Sequence, residues 1–391
     1  MKITMRATAQ MLVRNLASDL YGHPGGCLLE LIKNGFVAHM PDPECWDPRL
    51  PKLEISLARN HPFTEGPALV VLDHGSGMTE PALKRYFGWL GTPLEKLIEH
   101  SNGSSKGASQ KGIGRLAALA LNENCLKEDI GAIDHGYYLF SRTSRSGDIR
   151  YIRVMPCDFE LEDGIEVDNF VSPTSTEARF LDNIQGSFTA IVIPTPVFDS
   201  AGEIYDAIKW LLPRERDKMF SLTVNGKVVE PPVLADDVNV TSLDGRYRAR
   251  LGIGNEEKDG IWLCDAETGF RVASCMKLGK FLPEPLDYPD LGGDIFAPGL
   301  LRYQNTARDT LSKEFTRKGN KEWQKLLMFL VGDVAPKAMA LVQRDSLATD
   351  VVKTIGELVD MFHHRYGPPE PRERVVGPGG IRTPPVSPPG P

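Results

Sequence analysis

Glu30 and Asn34 stand four residues apart in Glu30-Leu31-Ile32-Lys33-Asn34, within a stretch of helical periodicity. Residues four apart on a helix share a face. A carboxylate there can orient or deprotonate a water. The amide oxygen can ligate magnesium, which takes oxygen ligands and leaves room for phosphate oxygens. The pair suits a nucleoside triphosphate. The alternative is an exposed helix face on which a Glu and an Asn fall by chance.

A second segment, Asp73-His74-Gly75-Ser76-Gly77-Met78, follows the continuous apolar run 68–72. A carboxylate at the end of a buried strand can accept the exocyclic amine of adenine. The glycines let the backbone approach a ring where a Cβ would collide, and Met78 offers an adaptable apolar contact. An ordinary β-turn after a strand is the alternative. A third segment, Lys111-Gly112-Ile113-Gly114-Arg115, opens a helix. Its main-chain N–H groups and the helix dipole favour a phosphate, and Lys106, Lys111 and Arg115 add charge. A frequent type of glycine turn is the alternative there. Neither the G-x-x-x-x-G-K-[ST] loop nor a G-x-G-x-x-G after a first strand is present.

These segments need elements to hold them. The pattern predicts helices over 6–20 and 27–40, parted by the break Gly22-His23-Pro24-Gly25-Gly26. Leu28, Leu31, Ile32 and Gly35 form the buried stripe of the second. Strands are expected at 53–58 and 68–72, with Thr79 as N-cap of a helix running from Glu80 toward Leu90. The polar stretch 91–111 suits a mobile lid. A helix over 115–122 follows, then strands at 137–141, 149–155 and 187–193 and a helix over 204–212. Asn225-Gly226 between 220–224 and 227–229 predicts a hairpin. Helices are expected over 323–347, kinked by Pro336, and over 346–366. In the latter, Val352, Ile355, Val359 and Phe362 have a/d-like spacing, for a second protomer or for packing on their own domain. Residues 368–391 hold nine prolines and read as a disordered, polyproline-like tail.

Bulk properties bound the rest. The 391 residues suffice for two or three domains, and 41% hydrophobic with 25% charged residues is ordinary for a globular chain. A net charge of −7 gives no overall pull toward nucleic acid. Cys27, Cys45, Cys125, Cys157, Cys264 and Cys275 include no C-x-x-C pair, which argues against a structural zinc and for a reducing cytoplasm. The first fifteen residues lack a signal-peptide core, and no apolar run reaches the ~20 residues a membrane span needs.

In order and spacing, the three segments resemble the GHKL ATPases: gyrase B subunits, the large heat-shock chaperone, histidine kinases and MutL. That superfamily has an E-x-x-x-N helix, a D-x-G-x-G-M turn and a G-x-G loop. Leu16-Ala17-Ser18-Asp19-Leu20-Tyr21, Trp89-Leu90-Gly91-Thr92 and Lys96 are similar to the MORC branch. The resemblance covers about residues 1–196. It implies an α+β protein: a two-layer α/β sandwich of the Bergerat type over 1–212, then a smaller α/β middle or transducer-like domain over 213–345, a C-terminal helix over 346–367 and the disordered tail over 368–391.

The resemblance makes Glu30 the general base, Asn34 the magnesium ligand and Asp73 the adenine reader. Gly75, Gly77 and Met78 would line the base, and Lys111, Gly112, Ile113, Gly114 and Arg115 would hold phosphates. A Thr on a late strand near Asp73 fits Thr189, with Ser187 as the competing register. The family places an acid three residues after its Asn, where this chain has Val37. Gln304-Asn305-Thr306-Ala307-Arg308-Asp309-Thr310-Leu311 resembles the N-x-S-R-E-x-L loop of the chaperone's middle domain. This implies that Arg308 reaches the γ-phosphate, held by Asp309, with Lys313 as the fallback cation; a surface Arg–Asp pair is the alternative.

The expected function is slow Mg-dependent ATP hydrolysis driving a conformational switch. It carries homodimerisation on ATP binding, an unidentified protein or nucleic-acid client, a cytoplasmic location and no membrane. One alternative is a nucleotide-gated interaction protein with negligible turnover. Another is a histidine kinase, but those carry a phosphoacceptor helix before the ATP domain, whereas here the ATP motifs begin almost at once and His363-His364 is a poor candidate.

Overall fold

The structure is a computed structural model. It describes residues 23–38, 52–64, 66–80, 82–83, 114–126, 136–156, 158, 168–169, 180–215, 220–254, 260–304 and 310–366. The expected helix over 6–20, the lid 91–111, the MORC-like stretches and the tail 368–391 lie outside these. The fold is mixed α+β, with two mixed sheets and several helices. The chain divides into two compact units, 1–342 and 343–391.

Helix α1 runs from Pro24 to Ala38. Residues 24–26 of the expected break are therefore its first turn. Proline fits the first helical position because its missing N–H would have no partner there. His23 caps the turn, its Nδ1 accepting from the Gly26 N–H at 3.1 Å. Gly25 is small for a reason: a Cβ would lie 2.8 Å from the Ala207 carbonyl oxygen. That carbonyl belongs to a later helix, α4 (Ala201–Lys209), which crosses at this point.

The first sheet contains β1 (Lys52–Ala58), β2 (Ala68–Asp73), β3 (Tyr137–Arg142), β4 (Arg150–Val154), β5 (Asp168–Asn169), β6 (Phe188–Pro194), β7 (Ser221–Val224) and β8 (Lys227–Val228). Their order is β5-β4-β3-β6-β2-β1-β7-β8. Every pairing is antiparallel except β1 with β7. β2 reads as one apolar run because both its faces are covered. Leu69 and Val71 join a core with α1, with α2 (Gly114–Ala120), with the short α3 (Glu123–Leu126) and with α4. Ala68 and Val70 face a second cluster with Phe140, Leu181 and Phe188. Asn225 and Gly226 both take positive φ, as a type I′ turn demands. The Asn225 side chain then accepts from the Leu57 N–H at 2.8 Å, fixing the hairpin to β1.

The second sheet has β9 (Ala235–Thr241), β10 (Arg248–Ile253), β11 (Ile261–Asp265), β12 (Arg271–Ser274) and β13 (Leu291–Ala297), in the order β12-β11-β13-β10-β9. Its core takes in Trp323, Leu326 and Phe329 of α5 (Lys321–Phe329) and Ala338 and Leu341 of α6 (Ala335–Tyr366). A π-turn over Leu330–Val334 joins α5 to α6. It stands just ahead of Pro336, whose missing N–H removes one link of the helical ladder. The stretch Lys321–Met361 is long and apolar enough to cross a membrane by length and composition alone. Its buried residues nonetheless belong to this core. In the second unit, Leu347, Val351, Val352, Ile355 and Val359 are exposed.

Candidate functional site

Asp73 ends β2, and Thr189 lies directly opposite it on β6. Ser187, the competing register, precedes the strand. The Asp73 carboxyl is buried, and burial pushes its pKa up to about 7, with the Gly75 N–H and the Thr189 main chain pulling it back down. The Gly75 N–H donates to Oδ1 at 2.9 Å. A carboxyl so poised can accept from an amine or, protonated, donate to a ring nitrogen.

The glycine turn after Asp73 is docked on the end of α1. The Ser76 N–H donates to the Ala38 carbonyl at 3.1 Å. A Cβ on Gly75 would sit 2.7 Å from that carbonyl oxygen and 2.8 Å from Asp73 Oδ1. Gly77 has φ +67°, and a Cβ there would strike the Arg142 carbonyl. Both glycines are therefore required by close approach of main chain to main chain. Met78 is half-buried beside the first core, and its N–H donates to Ser141 Oγ at 2.7 Å.

Ser141 organises this corner. Its hydroxyl donates to the Phe188 carbonyl at 3.0 Å and lies 3.3 Å from Thr189 Oγ1. A serine has one proton. With that proton on Phe188, the Thr189 hydroxyl is the donor to Ser141. One buried hydroxyl thus ties Met78 of the turn to the strand that carries Thr189.

α1, which carries Glu30 and Asn34, meets this corner at Gly35 and Ala38. Gly35 touches Asp73: a Cβ would stand 3.2 Å from Asp73 Cβ and 2.6 Å from Leu53 Cδ2. Glu30 is only 1% exposed and Asn34 is half-buried. An incidental exposed face is therefore excluded. The helix packs against the sheet and against α2 and α4.

The third segment is placed in part. α2 begins at Gly114 with Arg115 second, and it packs on α1. Lys111, Gly112 and Ile113 lie outside the described residues, as does the Arg115 side chain. Arg308 also lies outside them. The residues flanking its segment do not: Gln304 bridges to Leu311, and the Gln304 amide donates to the Val272 carbonyl at 3.0 Å.

Sequence reasoning passed over two residues. Ser141 carries no local signal, since its partners come from a distant turn and from β6. Lys33 has one: it lies three residues from Glu30 on a helix. It is 2% exposed, its Nζ is 5.7 Å from the Phe270 ring centroid, and burial lowers its pKa to about 8. Among the described residues no cluster of three His, Cys, Asp or Glu offers a metal cage. No protein-family model matches the chain, and no curated protein matches it significantly.

Proposed function

We propose that this chain binds and slowly hydrolyses Mg-ATP on a two-layer Bergerat-type sandwich, as a conformational switch of the GHKL kind. The observation that carries the reading is the meeting of Asp73, Thr189 and the Gly75–Gly77 turn with the helix that holds Glu30 and Asn34. The residues fit such a ligand. A buried carboxyl with a near-neutral pKa stands at a strand end, beside a glycine turn that closes tightly against main chain. Bound Mg-ATP would supply the phosphoanhydride and the cation that neutralises it. Asp73 would read the exocyclic amine, with Thr189 fixing the opposite strand and Gly75, Gly77 and Met78 lining the base. Asn34 Oδ1 would hold the magnesium. Glu30 would take a proton from the attacking water. Lys111, Gly112, Ile113, Gly114 and Arg115 would cradle phosphates, and Arg308 would report the γ-phosphate to the second sheet. Homodimerisation on ATP binding, a protein or nucleic-acid client and a cytoplasmic location belong to the same proposal.

Two features favour a second reading, a nucleotide-gated interaction protein with negligible turnover. Glu30 is almost wholly buried, and Val37 replaces the family's acid. One experiment separates the readings: Mg-dependent ATP hydrolysis beside binding of a non-hydrolysable analogue, for wild type, Glu30→Ala and Asp73→Asn. A positioned base contributes ~10²–10⁴-fold. Hydrolysis is expected to fall by about that factor in Glu30→Ala with binding kept, and binding to be lost in Asp73→Asn. Binding without turnover in wild type selects the second reading, and no binding in wild type ends both.

A further inference from the structure

The second sheet sends one residue into the first core. Phe270 lies in the turn between β11 and β12 and is fully buried among first-core side chains. Its ring stands 5.3 Å from that of Phe36, edge-on, and 5.9 Å from Phe220. Lys33 Nζ lies 5.7 Å from its centroid. Phe36 and Lys33 are both on α1, so the ring bears on the helix that carries Glu30 and Asn34.

The next two residues anchor the same strand elsewhere. The Arg271 guanidinium donates to the Trp210 carbonyl at the end of α4 and pairs with buried Asp294 of β13 at 2.9 Å. The Arg214 main chain donates to Asp294 at 2.8 Å, and burial of Asp294 is offset by Arg271 and Arg214, which hold its pKa low. Val272 gives its carbonyl to Gln304. A tight turn presents Phe270: the Thr268 N–H and hydroxyl both donate to Asp265 Oδ2, at 3.0 and 2.9 Å. Three consecutive residues therefore grip α1, the end of α4 and the bridge residue Gln304. Packed side chains of this kind have discrete arrangements and transmit displacement.

We propose that the β11–β12 turn couples the candidate site to the second sheet, with Phe270 as the positioning residue that sets α1, and hence Glu30 and Asn34. The proposal rests on the nucleotide reading of that site. It adds a route through the back of α1, separate from any contact with phosphate. A shift of α1 on ligand binding must move Phe270 or strain its packing, and β12 moves with it. Loosening the turn should also disturb the placing of Glu30 and Asn34, which turnover reads more sharply than binding does.

The test is hydrogen exchange of the full chain with and without a non-hydrolysable ATP analogue, beside steady-state kinetics. In wild type the analogue is expected to slow exchange in α1 and also at 261–274. Phe270→Ala is expected to bind the analogue within about threefold of wild type, to lose the response at 261–274 and to lower kcat at least tenfold. Phe270→Leu should recover most of both, and it serves if the alanine variant fails to fold. Leu263→Ala, buried in the second core only, should lower stability yet keep the response. Wild-type binding with no change at 261–274 overturns this inference alone. So does a Phe270→Leu or Phe270→Ala protein that keeps the response. Absence of binding in wild type overturns the nucleotide reading beneath it.

Discussion

Asp73 and Thr189 face each other across the β2–β6 ladder, and the Thr189 main chain is one of two groups that stabilise the buried Asp73 carboxylate. The other is the Gly75 N–H. Both fall short of undoing desolvation, so the folded pKa of about 7 stands above the usual value of 3.8. A raised folded pKa gives stability that is whole below the unfolded value and lost as pH rises through the folded one. Asp73 therefore weighs against the fold above neutrality, by at most about 4 kcal/mol at one pKa unit per 1.36 kcal/mol. Asp73→Asn should gain stability relative to wild type as pH climbs from 5.5 to 8.5, by about 1–3 kcal/mol in urea unfolding. The same variant should no longer bind an adenine nucleotide. A relative stability that stays flat across that range would show that Asp73 does not titrate there.

Gly77 and Gly35 separate stability from binding. Gly77→Ala adds a Cβ against the Arg142 carbonyl at φ +67°, where neither backbone can yield. A loss of about 2–4 kcal/mol is expected in urea unfolding. Gly35→Ala meets chiefly Leu53 Cδ2, the flexible end of a side chain. It should lose only about 1 kcal/mol, yet it wedges α1 from Asp73. Analogue binding, read by calorimetry, should therefore weaken more than tenfold in a protein that remains folded.

Much of the candidate site could be read from sequence because its chemistry is local. The Glu30–Asn34 spacing and the Asp73–Met78 turn each fit within six residues. Thr79 as an N-cap was legible for the same reason, and its Oγ1 accepts from the Ala82 N–H at 3.4 Å. The strands over 52–58, 68–73 and 188–194 follow their apolar runs. What failed was long-range. Gly22-His23-Pro24-Gly25-Gly26 reads as a break only until Ala207 is known to lie against Gly25. Nothing local to Lys33 marks it as a buried cation, because the ring it faces, Phe270, comes from the second sheet. No spacing rule joins Ser141 to Met78, because their approach depends on how β3 lies beside the turn.

Lys33 is a buried cation whose pKa is depressed by burial from 10.5 to about 8. For a base with a lowered folded pKa, the penalty is complete below about pH 8 and fades as pH rises toward the unfolded value. Lys33→Met removes it and keeps the apolar stem. Set against a lost cation–π contact, a gain of roughly 1–3 kcal/mol is expected at pH 7. The gain should shrink above about pH 9. Thermal unfolding at the two pH values decides it, and a destabilised variant at neutral pH would show that the ammonium is held by more than Phe270.

His61 acts at the acid end. It packs between Phe63 and Phe180, with ring centroids 5.7 and 4.7 Å away, and its Nε2 is buried with no hydrogen-bond partner among the described residues. Burial lowers its pKa from 6.5 to about 4. The unfolded chain therefore takes up a proton that the folded chain refuses, and stability falls as pH drops through 6.5 toward 4. Asp73 limits stability on the alkaline side and His61 on the acid side, so their effects can be removed one at a time. His61→Leu keeps the apolar packing and loses the unsatisfied nitrogen. Its unfolding midpoint should match or exceed the wild type's at pH 7, and its loss between about pH 6.5 and 4 should be visibly shallower. Equal acid slopes in the two proteins would place the acid sensitivity on the carboxylates instead.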